Sequence, residues 1–387
     1  MAKPSRQAES YTRALKGKSA DGPDAEEDTS GDSSGSTRSR RRGPNLRDVA
    51  KAADVSVATV SLVLNNSDRI SGATKTRVRR KMDELGYQPN RLAQSLSGKY
   101  TMTLAVLLPD LTSAFADQYF GTLLSGIVDA AHGRGYKVLL EQAKPDYVEG
   151  RKHLELFERR HTDGVLLLGH SDSHTYARDF AEAGHPAVVV DNVLEDPERG
   201  RILDDYVMSD YRQGAQQAMN YLKQLGHKRI GLITAAPNIA TTRQLTRTWR
   251  RACEEMNVDC GEMAVDGQFT ERGGAAALNK LLDRFDDLTA VFAGNDKMAL
   301  GALHAARRRG IDVPGDLSVV GFDDLLHAAY VSPSLTTIHL PLDEVGQAAC
   351  ECLIDKVQGK VSEPIHKTLA THLVVRDSTA MAPAFSG

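Results

Sequence analysis

The sequence predicts an α/β protein in which a small N-terminal helix-turn-helix headpiece precedes two doubly wound α/β lobes. Three observations predict it. Residues 38–99 hold 14 Lys+Arg against 5 Asp+Glu, a net +9, whereas residues 100–387 hold 29 against 39, a net −10. Apolar residues recur at helical spacing through 45–88. From residue 102 onward, short apolar runs alternate with helical stretches, the mark of parallel sheets covered on both faces.

Residues 1–44 contain no Val, Ile, Phe or Trp. They cannot bury enough apolar surface to fold, and a disordered extension is expected. Its basic end, Arg38-Ser39-Arg40-Arg41-Arg42, is either a phosphate-contacting arm or a solvated linker.

Residues 45–88 read as three helices. Asn45 caps the first, with Asp48 at its positive end. Leu46, Val49, Ala50 and Ala53 give that helix one buried face. Asp54-Val55-Ser56 forms a tight turn, and Ser56 caps a second helix, Val57–Leu64. Ser71 or Thr74 starts the third, and Gly86 stops it. Two short helices joined by a tight turn, inside a basic unit, describe a DNA-binding helix-turn-helix. The strands expected beyond are Leu104–Leu108, Tyr136–Leu140, Gly164–Leu168, Ala187–Val190, Ile230–Thr234, Ala290–Ala293 and Leu317–Phe322. They are too many for one small sheet, hence two lobes, with ligands expected outside the carboxyl ends of the strands.

Hydrophobic residues at 41% and charged residues at 26% suit a globular chain of two or three domains. No apolar run is long enough to span a bilayer, and the start MAKPSRQAES lacks the apolar stretch of a secretory signal. The expected location is the cytoplasm, at the bacterial nucleoid, with no membrane partner. The cysteines Cys253, Cys260, Cys350 and Cys352 make neither a disulfide framework nor a CxxC pair. No cofactor motif is present: Gly-x-Gly-x-x-Gly after a strand, a Walker loop, HExxH and Gly-x-Ser-x-Gly are all missing. No cofactor and no metal are therefore expected, and an enzyme is the weaker reading. A solute-binding protein of the same two-lobed build is the other rival.

Residues Asn45–Lys99, NLRDVAKAADVSVATVSLVLNNSDRISGATKTRVRRKMDELGYQPNRLAQSLSGK, closely resemble the headpiece of the LacI/GalR family of bacterial transcription regulators. The similarity runs on through LGHKRI (225–230), Asn295-Asp296, SVVGFDD (318–324) and VVRDST (374–379). It implies lobes of periplasmic-binding-protein type, a homodimer, a palindromic operator in double-stranded DNA, and allosteric control by a small effector such as a sugar or nucleoside derivative. The domains expected are an extension (1–44), headpiece (45–88), hinge helix and linker (89–101), effector-binding and dimerisation body (102–381) and frayed tail (382–387).

By the same resemblance Val57, Ala58 and Leu62 face base edges, and Ser56, Thr59, Ser61, Asn65, Arg69, Ser71 and Thr74 hold phosphates. Many relatives carry Arg where Leu62 stands, so a bidentate guanine contact is replaced by an apolar one; alternatively Leu62 is a core residue. In the hinge, Asn90, Ala93 and Gln94 lie along the minor groove and Leu96 is the wedge that kinks the duplex. Asp323 is expected to bind effector hydroxyls or ring nitrogens, with Asn295, Asp191 and Asp110 as further polar contacts. The family's usual effector-binding Arg falls at Leu245, so Arg243 or Arg247 is expected to substitute. The segment Leu111–Phe120 is longer than usual and forms a lid in which Phe115, Tyr119 or Phe120 stacks on a ring, or else fills the core.

Overall fold

The computed structural model describes residues 44–64, 67, 69–87, 100–109, 111–196 and 198–383, in two compact units. Asn65, Asn90, Ala93, Gln94, Leu96 and Asp110, with the extension and most of the hinge, lie outside the described residues.

The first unit holds α1 (Leu46–Ala53), α2 (Val57–Leu64) and α3 (Gly72–Leu85). Asn45 Oδ1 accepts from the Arg47 and Asp48 amides, and Asp48 Oδ2 accepts from Asn45 N at 2.8 Å, a reciprocal capping box. Asp54 takes left-handed backbone (φ 49°) to end α1. Ser71 caps α3, and Gly86, also left-handed, stops it. Val49, Ala50, Ala53, Val60, Val63, Val78 and Met82 form one small core.

The second unit opens with β1 (Thr103–Leu108), α4 (Leu111–Ala116), α5 (Gln118–Gly133), β2 (Lys137–Gln142), α6 (Pro145–Glu149), α7 (Lys152–Glu158) and β3 (Gly164–Leu168). Next come α8 (Arg178–Glu182), β4 (Ala187–Val190), the small ribbon β5 (Glu195–Asp196) and β6 (Gly200–Arg201), and β7 (Tyr206–Ser209). Then follow α9 (Tyr211–Gln224), β8 (Ile230–Thr234), α10 (Ala240–Glu255), β9 (Ala264–Asp266), α11 (Glu271–Leu282), β10 (Ala290–Ala293), α12 (Asp296–Arg308) and β11 (Ser318–Val320). The chain ends with α13 (Leu326–Tyr330), β12 (Thr337–His339), α14 (Leu342–Val357), β13 (His366–Leu369) and β14 (His372–Val374).

Two parallel sheets result, ordered β13-β7-β4-β3-β1-β2 in the first lobe and β11-β10-β8-β9 in the second. Alternate residues of the first sheet enter opposite cores: Leu104, Val106, Leu108, Leu166 and Leu168 on one face, Ala105, Leu107, Val165 and Leu167 on the other. Burial on both faces is why these strands read as unbroken apolar runs. Trp249 is fully buried in the second lobe, its Nε1 donating to Ile230 O at 3.0 Å.

Three expected strands shift. The first starts one residue earlier, at Thr103, which pairs with Lys137. The second runs Lys137–Gln142 rather than Tyr136–Leu140, because the Tyr136 amide bonds back to Ala131 O and closes α5. The last runs only Ser318–Val320 rather than Leu317–Phe322, because the Gly321 amide turns to Thr336 O and leaves the ladder. At the body's start, Asp163 accepts from the Thr101 and Met102 amides at 2.7 and 2.8 Å, so the body begins one residue before the expected boundary. At its end Ala382 N donates to Leu225 O at 2.7 Å, so this residue is not frayed as expected.

The main chain crosses between the lobes three times: from β7 into α9, from β12 into α14, and from β13 into β14. Helix α14 thus returns to the first lobe, where glycines let it meet α5. A Cβ on Gly126 would lie 2.0 Å from Asp343 O, and one on Gly346 would lie 2.2 Å from Leu123 O. Among the described residues no helix is long and apolar enough to cross a membrane.

Candidate functional site

In the headpiece unit, two Ser-x-x-Thr pairs sit at helix starts. Ser56 Oγ accepts from Thr59 N at 3.0 Å and lies 2.8 Å from the Thr59 hydroxyl. Ser71 Oγ accepts from Thr74 N at 3.3 Å and lies 3.0 Å from the Thr74 hydroxyl. Each pair shapes a helix N-terminus whose first amides and positive dipole end suit a phosphate oxygen. Val57, Ala58 and Arg69 are exposed, and Ser61 is half-buried. Leu62 is half-buried and stands outside the apolar cluster that joins the three helices, so the core does not account for it.

In the body, a cavity of about 330 Å³ opens between the carboxyl ends of the two sheets. Asp191 follows β4 on left-handed backbone (φ 53°). Its carboxylate accepts from Ser209 N (2.7 Å), Tyr211 OH (2.7 Å) and Tyr119 OH (2.6 Å). Burial, then the Asp191 charge, push both tyrosines well above the usual phenol range, so they remain donors. Asn295 caps α12, its Oδ1 accepting from Met298 N at 2.8 Å. Asp323 is buried on the wall with φ 118°, a strained conformation for a side-chain-bearing residue. Its backbone is held by the lobe crossing: Asp323 N donates to Ile338 O at 2.9 Å, and Leu340 N donates to Asp323 O at 3.3 Å. Burial pushes the Asp323 carboxyl well above the usual range, and the nearby charges of Asp296, Asp117 and Asp191 push it further.

Behind the wall, Asp296 is fully buried and accepts from Thr337 Oγ1 (2.6 Å) and Leu325 N (2.7 Å). Burial raises it to about 7 against these bonds. The same carboxylate explains Gly321, where a Cβ would lie 2.3 Å from Asp296 Oδ1.

Asp191 of the first lobe and Asn295 and Asp323 of the second therefore line one cavity, although they come from different strand ends. Arg243 and Arg247 do not line it. Arg243 is taken by Asp172 (2.5 Å) and Glu195 (2.6 Å) of the first lobe, and Arg247 is exposed one turn further along α10. Leu245 lines the cavity instead. Tyr119 and Phe120 are wall residues, whereas Phe115 is 70% exposed. Sequence reasoning missed Asp117, Asn192 and Lys297, each within six residues of a residue it had chosen. Lys297 Nζ pairs with Asp117 Oδ2 at 2.6 Å, a third ion pair across the cleft.

Comparison with known proteins agrees with this architecture. The family model described as "Bacterial regulatory proteins, lacI family" matches residues 45–90, and that of the periplasmic binding protein-like domain matches 219–379. The transcriptional regulator CelR of Thermobifida fusca is 35% identical, over 88% of this chain and 99% of CelR. A solved CelR–cellobiose complex superposes with a TM-score of 0.66 at 33% identity, over 87% of this chain and 99% of that one. A Lac repressor dimer bound to operator and an anti-inducer gives 0.71 at 26% identity, over 88% and 100%. These relatives are regulators rather than enzymes. Their similarity extends through headpiece and body alike, and the chain belongs to the LacI family of DNA-binding transcription regulators.

Proposed function

We propose that this regulator acts as a homodimeric repressor on a palindromic operator at the nucleoid, and that a small effector between the lobes sets its affinity. The observation that carries the effector reading is the cavity itself, walled from both lobes by Asp191, Asn295 and Asp323. A guest there touches both lobes at once, so its binding depends on how they close. The solved CelR complex holds cellobiose, and an uncharged sugar of that class fits a wall of carboxylate, amide and aromatic groups.

Ser56, Thr59, Ser61, Asn65, Arg69, Ser71 and Thr74 hold phosphates, and Val57, Ala58 and Leu62 meet base edges. The hinge (89–100) folds on the operator with Asn90, Ala93, Gln94 and Leu96 in the minor groove, so lobe movement changes the cost of ordering it. Coupling of about 1–3 kcal/mol changes occupancy about 5–150-fold. Phe115, Leu326 and Tyr330 are exposed, at 70%, 59% and 80%. Gln118 Oε1 accepts from Leu326 N at 3.1 Å, which sets α13 beside the start of α5, and this apolar face suits a second copy.

The test is selection of genomic fragments by the purified full-length protein at fixed near-physiological salt. A short enriched palindrome is expected. Salt-sensitive binding with no enriched motif overturns specific readout, since phosphate contacts alone give that result.

A further inference from the structure

The cavity wall carries the carboxylates of Asp117 and Asp191, the buried carboxyl of Asp323, and one ammonium, Lys297. Lys297 is already paired with Asp117 at 2.6 Å. His170, also on the wall, adds no cation. Its Nδ1 and Nε2 contact Leu168 O (3.0 Å) and Tyr176 OH (2.6 Å). Burial, with His174 beside it, holds its pKa down to about 3. Leu245 lines the cavity, and Arg243 is held away by Asp172 and Glu195.

One unsatisfied group of the wall points the same way. Asn192 is buried, and its Nδ2 donates to His170 O at 2.8 Å, which fixes the amide's orientation. Its Oδ1 is buried without a partner. An unpaired buried acceptor is costly unless a guest supplies a donor. The carboxyl of Asp323 is a second acceptor on the wall. The first turn of α10, reaching the cavity at Thr241 and Thr242, has no side-chain cap. A hydroxyl oxygen and an anion both satisfy those amides, so this turn does not set the charge preference, which the other wall groups decide.

We propose that this cavity selects an uncharged, hydroxyl-rich ring and discriminates against the phosphorylated form of the same ring. The proposal rests on the effector reading of the cavity and adds its charge selectivity. Hydroxyls supply the donor that Asn192 Oδ1 lacks. A phosphate supplies only acceptors and negative charge, and meets carboxylates whose one ammonium is already engaged.

The experiment uses the full-length protein, with thermal shift and calorimetry, and matched probes: glucose with glucose 6-phosphate, ribose with ribose 5-phosphate, and cellobiose with its 6-phosphate. Inorganic phosphate is compared with chloride at equal ionic strength. The expected result is that the neutral member of a binding pair is preferred at least about tenfold, and that phosphate gives no saturable stabilisation. Asp117→Asn keeps a residue able to cap α5 and frees Lys297; it is expected to narrow that preference about tenfold and to create phosphate binding. A phosphorylated member binding as tightly as its neutral partner, or saturable phosphate binding by the wild type, overturns the proposal. If no sugar binds and phosphate also fails, in wild type and variant alike, the effector reading falls, and this proposal with it. If no sugar binds but Asp117→Asn gains phosphate binding, the charge selectivity stands and only the carbohydrate class is lost.

Discussion

Arg243 of the second lobe donates to Asp172 Oδ2 at 2.5 Å and to Glu195 Oε2 at 2.6 Å, so two carboxylates of the first lobe clasp one guanidinium. Beside it, Asp172 N donates to Asn238 O at 2.9 Å, a main-chain bond across the same gap. With Lys297–Asp117, three ion pairs cross the cleft among the described residues. An arginine near the effector therefore acts on the lobes' equilibrium rather than on the ligand.

Arg243→Gln is expected to loosen closure. The side chains are partly exposed, 21% for Arg243 and 49% for Glu195, so solvent screening limits the loss to about 1 kcal/mol. That corresponds to about a fivefold fall in the closed-to-open ratio, and to a fall in effector affinity of up to the same factor. Titration of effector-dependent operator release at low and high salt checks it. Unchanged affinity at both salts would rule the clasp out.

Leu62→Arg is expected to change operator preference at one base pair in each half-site. The side chain is only half-buried and lies outside the headpiece core, so the longer residue has room. A bidentate guanine contact contributes about 1–3 kcal/mol of discrimination. Selection from random sequences by wild type and variant checks this. Identical motifs would assign Leu62 a structural role.

The strands legible from sequence were those buried on both faces. Gly164–Leu168, Ala187–Val190, Ile230–Thr234 and Ala290–Ala293 match the observed bounds because every residue in them is apolar, Gly, or a closing Thr. Strand β7 (YVMS) and the ribbon β12–β14, with His339 facing His372, mix polar and apolar residues on crossings, where no continuous run forms. Asp191, Asn295 and Asp323 were legible as polar residues just past apolar runs. The fate of Arg243 was not, because its partners are 71 and 48 residues away and only the closed cleft brings them together.

Gly126→Ala is expected to destabilise the body by about 1–3 kcal/mol or more. The new methyl would meet the carbonyl of Asp343 at 2.0 Å, and backbone cannot swing aside as a side chain can. Gly121→Ala in the same helix has nothing within 4 Å and is expected to be neutral or slightly stabilising. Thermal melts of the two variants compare them directly. Equal melting temperatures would mean that α5 and α14 do not pack through this glycine contact.

Asp296→Asn tests the buried carboxyl behind the cavity. Burial raises Asp296 to about 7, above its usual 3.8, so between those pH values the folded protein holds a proton that the unfolded chain releases. Stability from this group is present below about pH 4 and is lost as pH rises toward about 7. The slope has a ceiling of about 1.4 kcal/mol per pH unit. Asparagine has no such titration, yet its Oδ1 can accept from Leu325 N while its Nδ2 donates to Thr337 Oγ1. The expected result is that the wild type's stability relative to Asp296→Asn falls steadily from pH 5 to pH 7, read by urea melts at matched ionic strength. A difference that stays flat, or grows with pH, would show that Asp296 is ionised in the folded protein and held by its two donors despite burial.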